Sequence, residues 1–278
     1  MNKFLTRTLS ATVYAVLFLG SIYSGKLLGN GIAGRIILAA FLLFVAVGCT
    51  FEFFRMVGCQ GSKPCRLLGY AYAVLTLLGL ALVNLLPAIT VVWTIVLPIA
   101  FALAAIVQLW YHSEQPFREA AYTIVPMLYV ALPLGLMFNL HFGFNVLVMC
   151  IIMVWVNDSF AYMGGSLVGK HKMWERHSPG KTWEGTAIGV AGTIALALLV
   201  GPLFKTQLAW YDWLVLGVIC SVVDTLGDLV ESMLKRSVGV KDSGKIMPGH
   251  GGFLDRFDSL LIVVPFVWAY LYVRFTIL

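Results

Sequence analysis

The sequence predicts an all-α, polytopic membrane protein with about nine transmembrane helices, its N-terminus cytoplasmic and its C-terminus outside. Three observations carry this. Of 278 residues, 60% are hydrophobic and 12% charged, with a mean hydropathy of +0.90, which is more apolar surface than one soluble core can hide. Apolar runs recur between short polar breaks, and roughly 20 such residues let a helix cross about 30 Å of hydrocarbon. Lys and Arg also segregate as they do in cytoplasmic loops. With nine spans, 15 of the 19 fall on one side, leaving Lys26, Arg35, Lys205 and Arg274 for the other side or the spans themselves.

The first run, 9 to 23, follows Lys3 and Arg7 and imitates a signal peptide. No small-x-small cleavage site precedes the next polar break, so it reads as an uncleaved span. Runs 31 to 54, 67 to 86, 88 to 111 and 119 to 140 contain little beyond apolar residues and short connectors, with Pro87, Pro98, Pro126 and Pro133 marking kinks or ends. A tight turn near Phe142 leads into the sixth run, 143 to 165. The last three are 185 to 204, 208 to 234 and 257 to 277. The simplest organisation is one membrane domain, with 1–142 as N-terminal scaffold helices and 143–278 carrying the catalytic helices and cytoplasmic loops.

The five cysteines, Cys49, Cys59, Cys65, Cys150 and Cys220, form no C-x-x-C pair and read as packing residues or free thiols, not a zinc site. A net charge of +6 without a soluble basic domain suits anionic lipid at the inner leaflet and argues against nucleic acid.

Chemistry concentrates late in the chain. Nine of the 13 acidic residues (Asp158, Glu175, Glu184, Asp224, Asp228, Glu231, Asp242, Asp255 and Asp258) gather in and around the polar segments that follow the sixth and eighth spans. From Ser232 to Ser259, Lys235, Arg236, Lys241 and Lys245 offer cationic donors. Pro248-Gly249-His250-Gly251-Gly252 offers unobstructed backbone N–H groups, and Asp242, Asp255 and Asp258 offer oxygen ligands. Together these suit phosphate and a divalent metal.

Asp224, Asp228 and Glu231 are spaced i, i+4, i+7 and share one helix face. A carboxylate facing lipid there would cost at least about 2.5 kcal/mol, so the stripe must face protein, water or a cation. Asp228 reads as a ligand, whereas Asp224 and Glu231 have the alternative of pairing with Lys235 or hydrogen bonding across helices. Asp255 and Asp258 open the ninth span, where one acid would also favour the helix dipole. The three glycines upstream would let a phosphate lie against this helix start while Asp255 holds its metal. Carboxylates from two helix ends, completed by phosphate oxygens, are a usual way to hold magnesium.

The earlier polar segment contains Asp158, a run of Gly164, Gly165 and Gly169 that predicts a flexible exit from the sixth span, and Ser178-Pro-Gly-Lys181-Thr182. The last lacks the spacing and the preceding strand of a phosphate-binding Walker loop. Lys181 reads as a phosphate contact, and Ser178-Pro-Gly equally as a turn. His250 could be a general acid, a phosphate donor or a turn residue; His171 and His177 read as surface residues, and Trp174 and Trp183 as interfacial anchors.

With these residues in place, the chain resembles the phosphatidate cytidylyltransferase (CDP-diacylglycerol synthase) family. The signature of that family is met by Ser232, Lys235, Arg236, Lys241, Asp242, Pro248, His250, Gly251, Gly252, Asp255, Arg256 and Asp258, without departure at any motif position. Upstream, Asp158 with Ala-Tyr, SPGKTWEG and LGDLVES follow in the same order. The match is detailed over roughly the C-terminal 120 residues and rests on hydrophobic pattern elsewhere.

The resemblance implies conversion of CTP and phosphatidate to CDP-diacylglycerol and pyrophosphate by a multi-pass, typically dimeric protein. It also implies magnesium on Asp228 and Asp255 and potassium as a second cation. Lys241 and His250 join the two aspartates as expected catalytic groups. Ser178, Lys181, Thr182, Lys235, Arg236, Asp242, Gly251, Gly252, Arg256 and Asp258 are expected to bind substrate, with Asp158, Asp224 and Glu231 as additional candidates. The expected setting is a bacterial inner membrane with the site facing the cytoplasm. Competing expectations are an ion-coupled transporter, in which the acidic stripe is a cation path, and a CTP-dependent lipid kinase, which would release CDP.

Overall fold

The computed structural model describes residues 3–58, 63–82, 99–110, 114–138, 143–204, 206–246 and 251–277. Among the described residues it is helical apart from one small hairpin and short connections. The helices are α1 (Lys3–Leu27), α2 (Gly31–Met56), α3 (Lys63–Leu82), α4 (Ile99–Trp110), α5 (Pro116–Phe138), α6 (Phe144–Val168), α7 (Trp183–Val200), α8 (Trp210–Ser237) and α9 (Leu254–Tyr272). Strands β1 (Lys172–Trp174) and β2 (Ser178–Thr182) lie between α6 and α7.

Among the described residues, seven helices are long and apolar enough to cross a membrane: α2, α5 to α9, and α3 counted from Cys65. The chain is therefore an all-α polytopic membrane protein. Of the other two expected spans, α1 covers the first run, while the fourth lies partly outside the described residues, with α4 in its second half. Pro87, Pro98, Phe142 and Cys59 also fall outside the described residues.

The chain separates into two compact units, Met1–Asn139 with Asp242–Arg256, and Leu140–Lys241 with Phe257–Leu278. In the first, α2 starts at Asn30, whose side chain accepts from Ile32 N and Ala33 N and so satisfies two exposed donors of the helix start. Phe18 stacks on Phe41 between α1 and α2, with ring centres 5.6 Å apart. Tyr72, Ala100, Ile124 and Met127 bury a further apolar cluster, in which the Tyr72 hydroxyl donates to Ala100 O. Pro126 interrupts α5 as its sequence predicts: it has no N–H to donate, and the next turn, Met127–Ala131, widens to π geometry.

In the second unit, α6 and α7 approach through glycine. A Cβ on Gly185 would lie 2.6 Å from Ala161 O, one on Gly192 2.3 Å from the Phe160 ring, and one on Gly164 2.7 Å from Ile188. Small residues that let helix backbones touch are the usual means of association in lipid. This corrects the expected flexible exit: Gly164 and Gly165 sit inside a continuous helix and serve packing. The expected turn at Ser178-Pro-Gly is also replaced. Ser178–Thr182 is extended and pairs antiparallel with β1 through Lys172 with Thr182 and Trp174 with Ser178, so the reversal falls on 175–177.

The described cysteines, Cys49, Cys65, Cys150 and Cys220, are buried thiols, in keeping with a packing role.

Candidate active site

Local structure in the second unit starts with the hairpin. Thr182 caps α7, its hydroxyl accepting from Gly185 N. Glu184, in the first turn, accepts from Lys170 N and His171 N and pairs with the His171 imidazole, closing the base of the hairpin. Strand β2 thereby presents Ser178, Gly180 and Lys181 to a cavity of about 370 Å³, whose opposite wall includes Asn157 and Asp158 of α6 and Asp228 of α8. Lys181 reaches across it. Its Nζ lies 2.7 Å from Asp228 Oδ2 and donates to Thr225 O at 3.0 Å.

The acidic stripe of α8 divides into three environments. Asp224 is fully buried; its Oδ2 accepts from Asn157 Nδ2 at 2.6 Å, and its main-chain oxygen accepts from Ser259 Oγ. Glu231, also fully buried, pairs with Lys235 one turn on. These are the alternatives that spacing left open for both residues: a hydrogen bond across helices for Asp224 and the Lys235 pair for Glu231. Asp228, half-buried, faces the cavity. Because α8 continues to Ser237, Asp228 lies about 13 Å from its end at 1.5 Å per residue, deeper than a helix ending at Leu234 would place it.

Ligand atoms of Asp228, Glu231 and Asp258 lie within 4.8 Å of one another. Asp158 and Asp228 are both within electrostatic reach of Asp258. Three carboxylates so close repel one another in a medium of low polarity, and Lys181 and Lys235 offset two of the three charges. A divalent cation fits here. Asp228 and Asp258 are two half-buried carboxylates of the kind Mg²⁺ takes with phosphate oxygens and water, while Glu231 already has its lysine. Arg236, exposed, donates to His177 O and Val240 O and so ties the end of α8 to the hairpin. Lys241 is exposed beyond it.

The first unit holds the rest of the signature segment. Asp255 stands in the first turn of α9, and its Oδ2 accepts from Ser243 N, Ser243 Oγ and Gly252 N at 2.8 to 2.9 Å. Gly251 has φ of +79°, and a Cβ there would meet the Asp255 carboxylate at 2.3 Å, so glycine is required on both counts. Asp242 is exposed, Gly252 buried, and the Arg256 carbonyl accepts from the Tyr14 hydroxyl. His250 lies outside the described residues.

Sequence reasoning missed two groups. Asn157 joins Asp224 to Ser221 O and Thr225 Oγ1, and its position beside Asp158 in an apolar span was the available signal. Glu52 is a fully buried acid close to the C-terminal end of apolar α2. Its Oε2 accepts from Ser243 Oγ at 2.8 Å and Leu254 N at 2.9 Å. An ionisable residue inside a span is by default a functional candidate, and this one was passed over with the N-terminal helices.

Apolar helices of membrane-crossing length here border a polar cavity lined by Lys181, Asp158 and Asp228, with the carboxylates of Glu231 and Asp258 close to that of Asp228. The chain matches the cytidylyltransferase family over residues 5–274 and belongs to that family. It is similar to proteins named phosphatidate cytidylyltransferase from Staphylococcus saprophyticus (39% identical over 150 residues), Staphylococcus aureus strain COL (42% over 154) and Staphylococcus epidermidis strain RP62A (39% over 150). Each alignment takes in 54% of this chain and 58% of the relative, so the matched part spans little more than half of either protein.

Proposed function

We propose that the protein transfers CMP from CTP to phosphatidate, giving CDP-diacylglycerol and pyrophosphate for phospholipid synthesis. One observation carries this reading: Lys181 and Asp228 meet across a polar cavity beside the Asp228, Glu231 and Asp258 cluster. A phosphate oxygen of phosphatidate attacks the α-phosphorus of CTP in line, the bond to the β-phosphate oxygen breaks, and pyrophosphate carries away the electron pair. The attacking phosphate is largely ionised at neutral pH, so positioning and charge neutralisation dominate over proton abstraction.

Lys181, Lys235, Arg236 and Lys241 hold triphosphate or lipid phosphate. Ser178, Thr182, Asp242, His250, Gly251, Gly252 and Arg256 complete the substrate contacts, with the Thr182 hydroxyl shared with its helix cap. Asp228 and Asp258 would hold Mg²⁺ on the geometry of their unit, and Asp255 is added as a ligand on the family resemblance. Bound there, the metal supplies neutralisation of phosphate charge. Potassium as a second cation, a homodimer, an N-terminus in the cytoplasm and a cytoplasm-facing site in a bacterial inner membrane belong to the same reading. Lipid enters from the inner leaflet and CTP from the cytosol.

The test is purified protein with labelled CTP, phosphatidate and Mg²⁺. A liponucleotide and pyrophosphate, formed only with all three, support the reading. Release of CDP with a phosphorylated lipid makes it a kinase, and solute uptake into sealed vesicles without CTP consumption makes it a transporter.

A further inference from the structure

We infer that Glu52 of α2 is a positioning residue for this transfer reaction, holding two short stretches, 243–244 and 252–254, that bond to Asp255 or lead into it. The inference rests on the reading above for its link to catalysis and on the first unit alone for its geometry.

Phe44, Gly48, Glu52 and Arg55 are spaced i, i+4, i+8 and i+11, so they lie along one face of α2. Each meets one of these two stretches. The Phe44 ring packs edge-on against Phe253, with centres 5.2 Å apart, and a Cβ on Gly48 would lie 2.6 Å from the Phe253 ring. Arg55 donates to Ser243 O, and Glu52 accepts from Ser243 Oγ and Leu254 N.

Both stretches are shaped to admit that acid. A Cβ on Gly244 would stand 2.1 Å from Glu52 Oε1, and one on Gly252 2.2 Å from Oε2. Two glycines therefore clear a slot for one carboxyl group. Ser243 then joins the two acids: its hydroxyl lies 2.8 Å from Glu52 Oε2 and 2.9 Å from Asp255 Oδ2, and its N–H donates to Asp255. Glu52 Oε1 is buried with no hydrogen-bond partner among the described residues. A buried acid of this kind is expensive in a membrane helix unless it organises something. What it organises here is the turn that begins α9.

The roles differ accordingly: Glu52 acts through Ser243 and Leu254 on the orientation of Asp255. Misplacing a catalytic group by about an ångström can lower turnover up to about a hundredfold without removing any substrate contact.

The experiment uses the full chain with Glu52→Ala, Glu52→Gln and Gly244→Ala, read by hydrogen exchange at the amides of 243–244 and 252–254 and by steady-state kinetics. Glu52→Ala is expected to exchange at least about tenfold faster at those amides alone and to lower kcat at least about tenfold, with KM for CTP within about threefold. Glu52→Gln keeps an oxygen for the two donors and should restore protection and most of kcat. Gly244→Ala crowds the slot and should behave as Glu52→Ala, which keeps the test alive if the latter fails to fold. Normal kcat with unchanged protection in Glu52→Ala and Gly244→Ala overturns the inference. So does a Glu52→Gln protein with both stretches ordered and no turnover, which would place Glu52 in the chemistry itself. Wild type without transferase activity would sink the reaction, while the exchange contrast would still decide whether Glu52 holds the two stretches.

Discussion

Within the second unit, α8 bears acids towards both of its ends, and the two sets are built on opposite rules. Near its start, Asp212 is buried at 1% exposure with its charge fully answered: Oδ2 accepts from Ala209 N, and Oδ1 accepts from the Tyr270 hydroxyl and Arg274 Nε of the last turns of the chain. In the later half, Asp228 and Glu231 crowd within 4.8 Å of Asp258 from α9, with two lysines paired to the three carboxylates among the described residues. A satisfied ionic cluster ties elements together; a crowd of like charges persists because something else makes use of it. Stability should therefore reside at one end and chemistry at the other.

The largest effect expected on this contrast comes from Asp228→Asn and Asp258→Asn. Each should lower turnover at least about a hundredfold and raise the Mg²⁺ needed for half-maximal rate, while the thermal midpoint holds or rises as repulsion is relieved. Near-normal rate at low Mg²⁺ in the purified variants would remove that residue from the metal. Next, Lys181→Met should lower kcat/KM for CTP by roughly tenfold or more, since a charge-assisted phosphate contact and the partner of Asp228 go together.

Asp212→Asn should do the reverse: a thermal midpoint lower by several degrees, with kcat of the folded fraction within about twofold. If its kinetics fall as far as those of Asp228→Asn, the two ends are not distinct. The smallest effect belongs to His171→Ala. Its imidazole is 79% exposed beside Glu184, so activity within about twofold of wild type is expected, and a large loss would bring the hairpin base into the reaction.

Hydropathy was legible because lipid imposes a length on every span: the sixth run, 143 to 165, became α6 at Phe144–Val168, and the eighth, 208 to 234, became α8 at Trp210–Ser237. Spacing alone put Asp224, Asp228 and Glu231 on one face. What spacing could not give was the division of labour along that face, since it depends on Asn157 and Lys235, which arrive from another helix and the next turn. The glycines misled for a related reason. Gly164 and Gly165 look like a hinge in one dimension, and only the Ile188 side chain of α7 and the Thr182 hydroxyl at its cap, set against them, show why a side chain is disfavoured. Glu52 was legible as a single acid in an apolar span, yet its partners, Ser243 and Leu254, are about 190 and 200 residues away in the chain.

The glycine seam between α6 and α7 has one more effect. Helices whose backbones touch cannot tilt independently when the surrounding bilayer thickens or thins, so the adjustment to hydrophobic mismatch must be made by the pair as one body. The hairpin leaves one of these helices and enters the other, and it travels with them. Lys181 and Asp158 should keep their spacing across membranes of different acyl length.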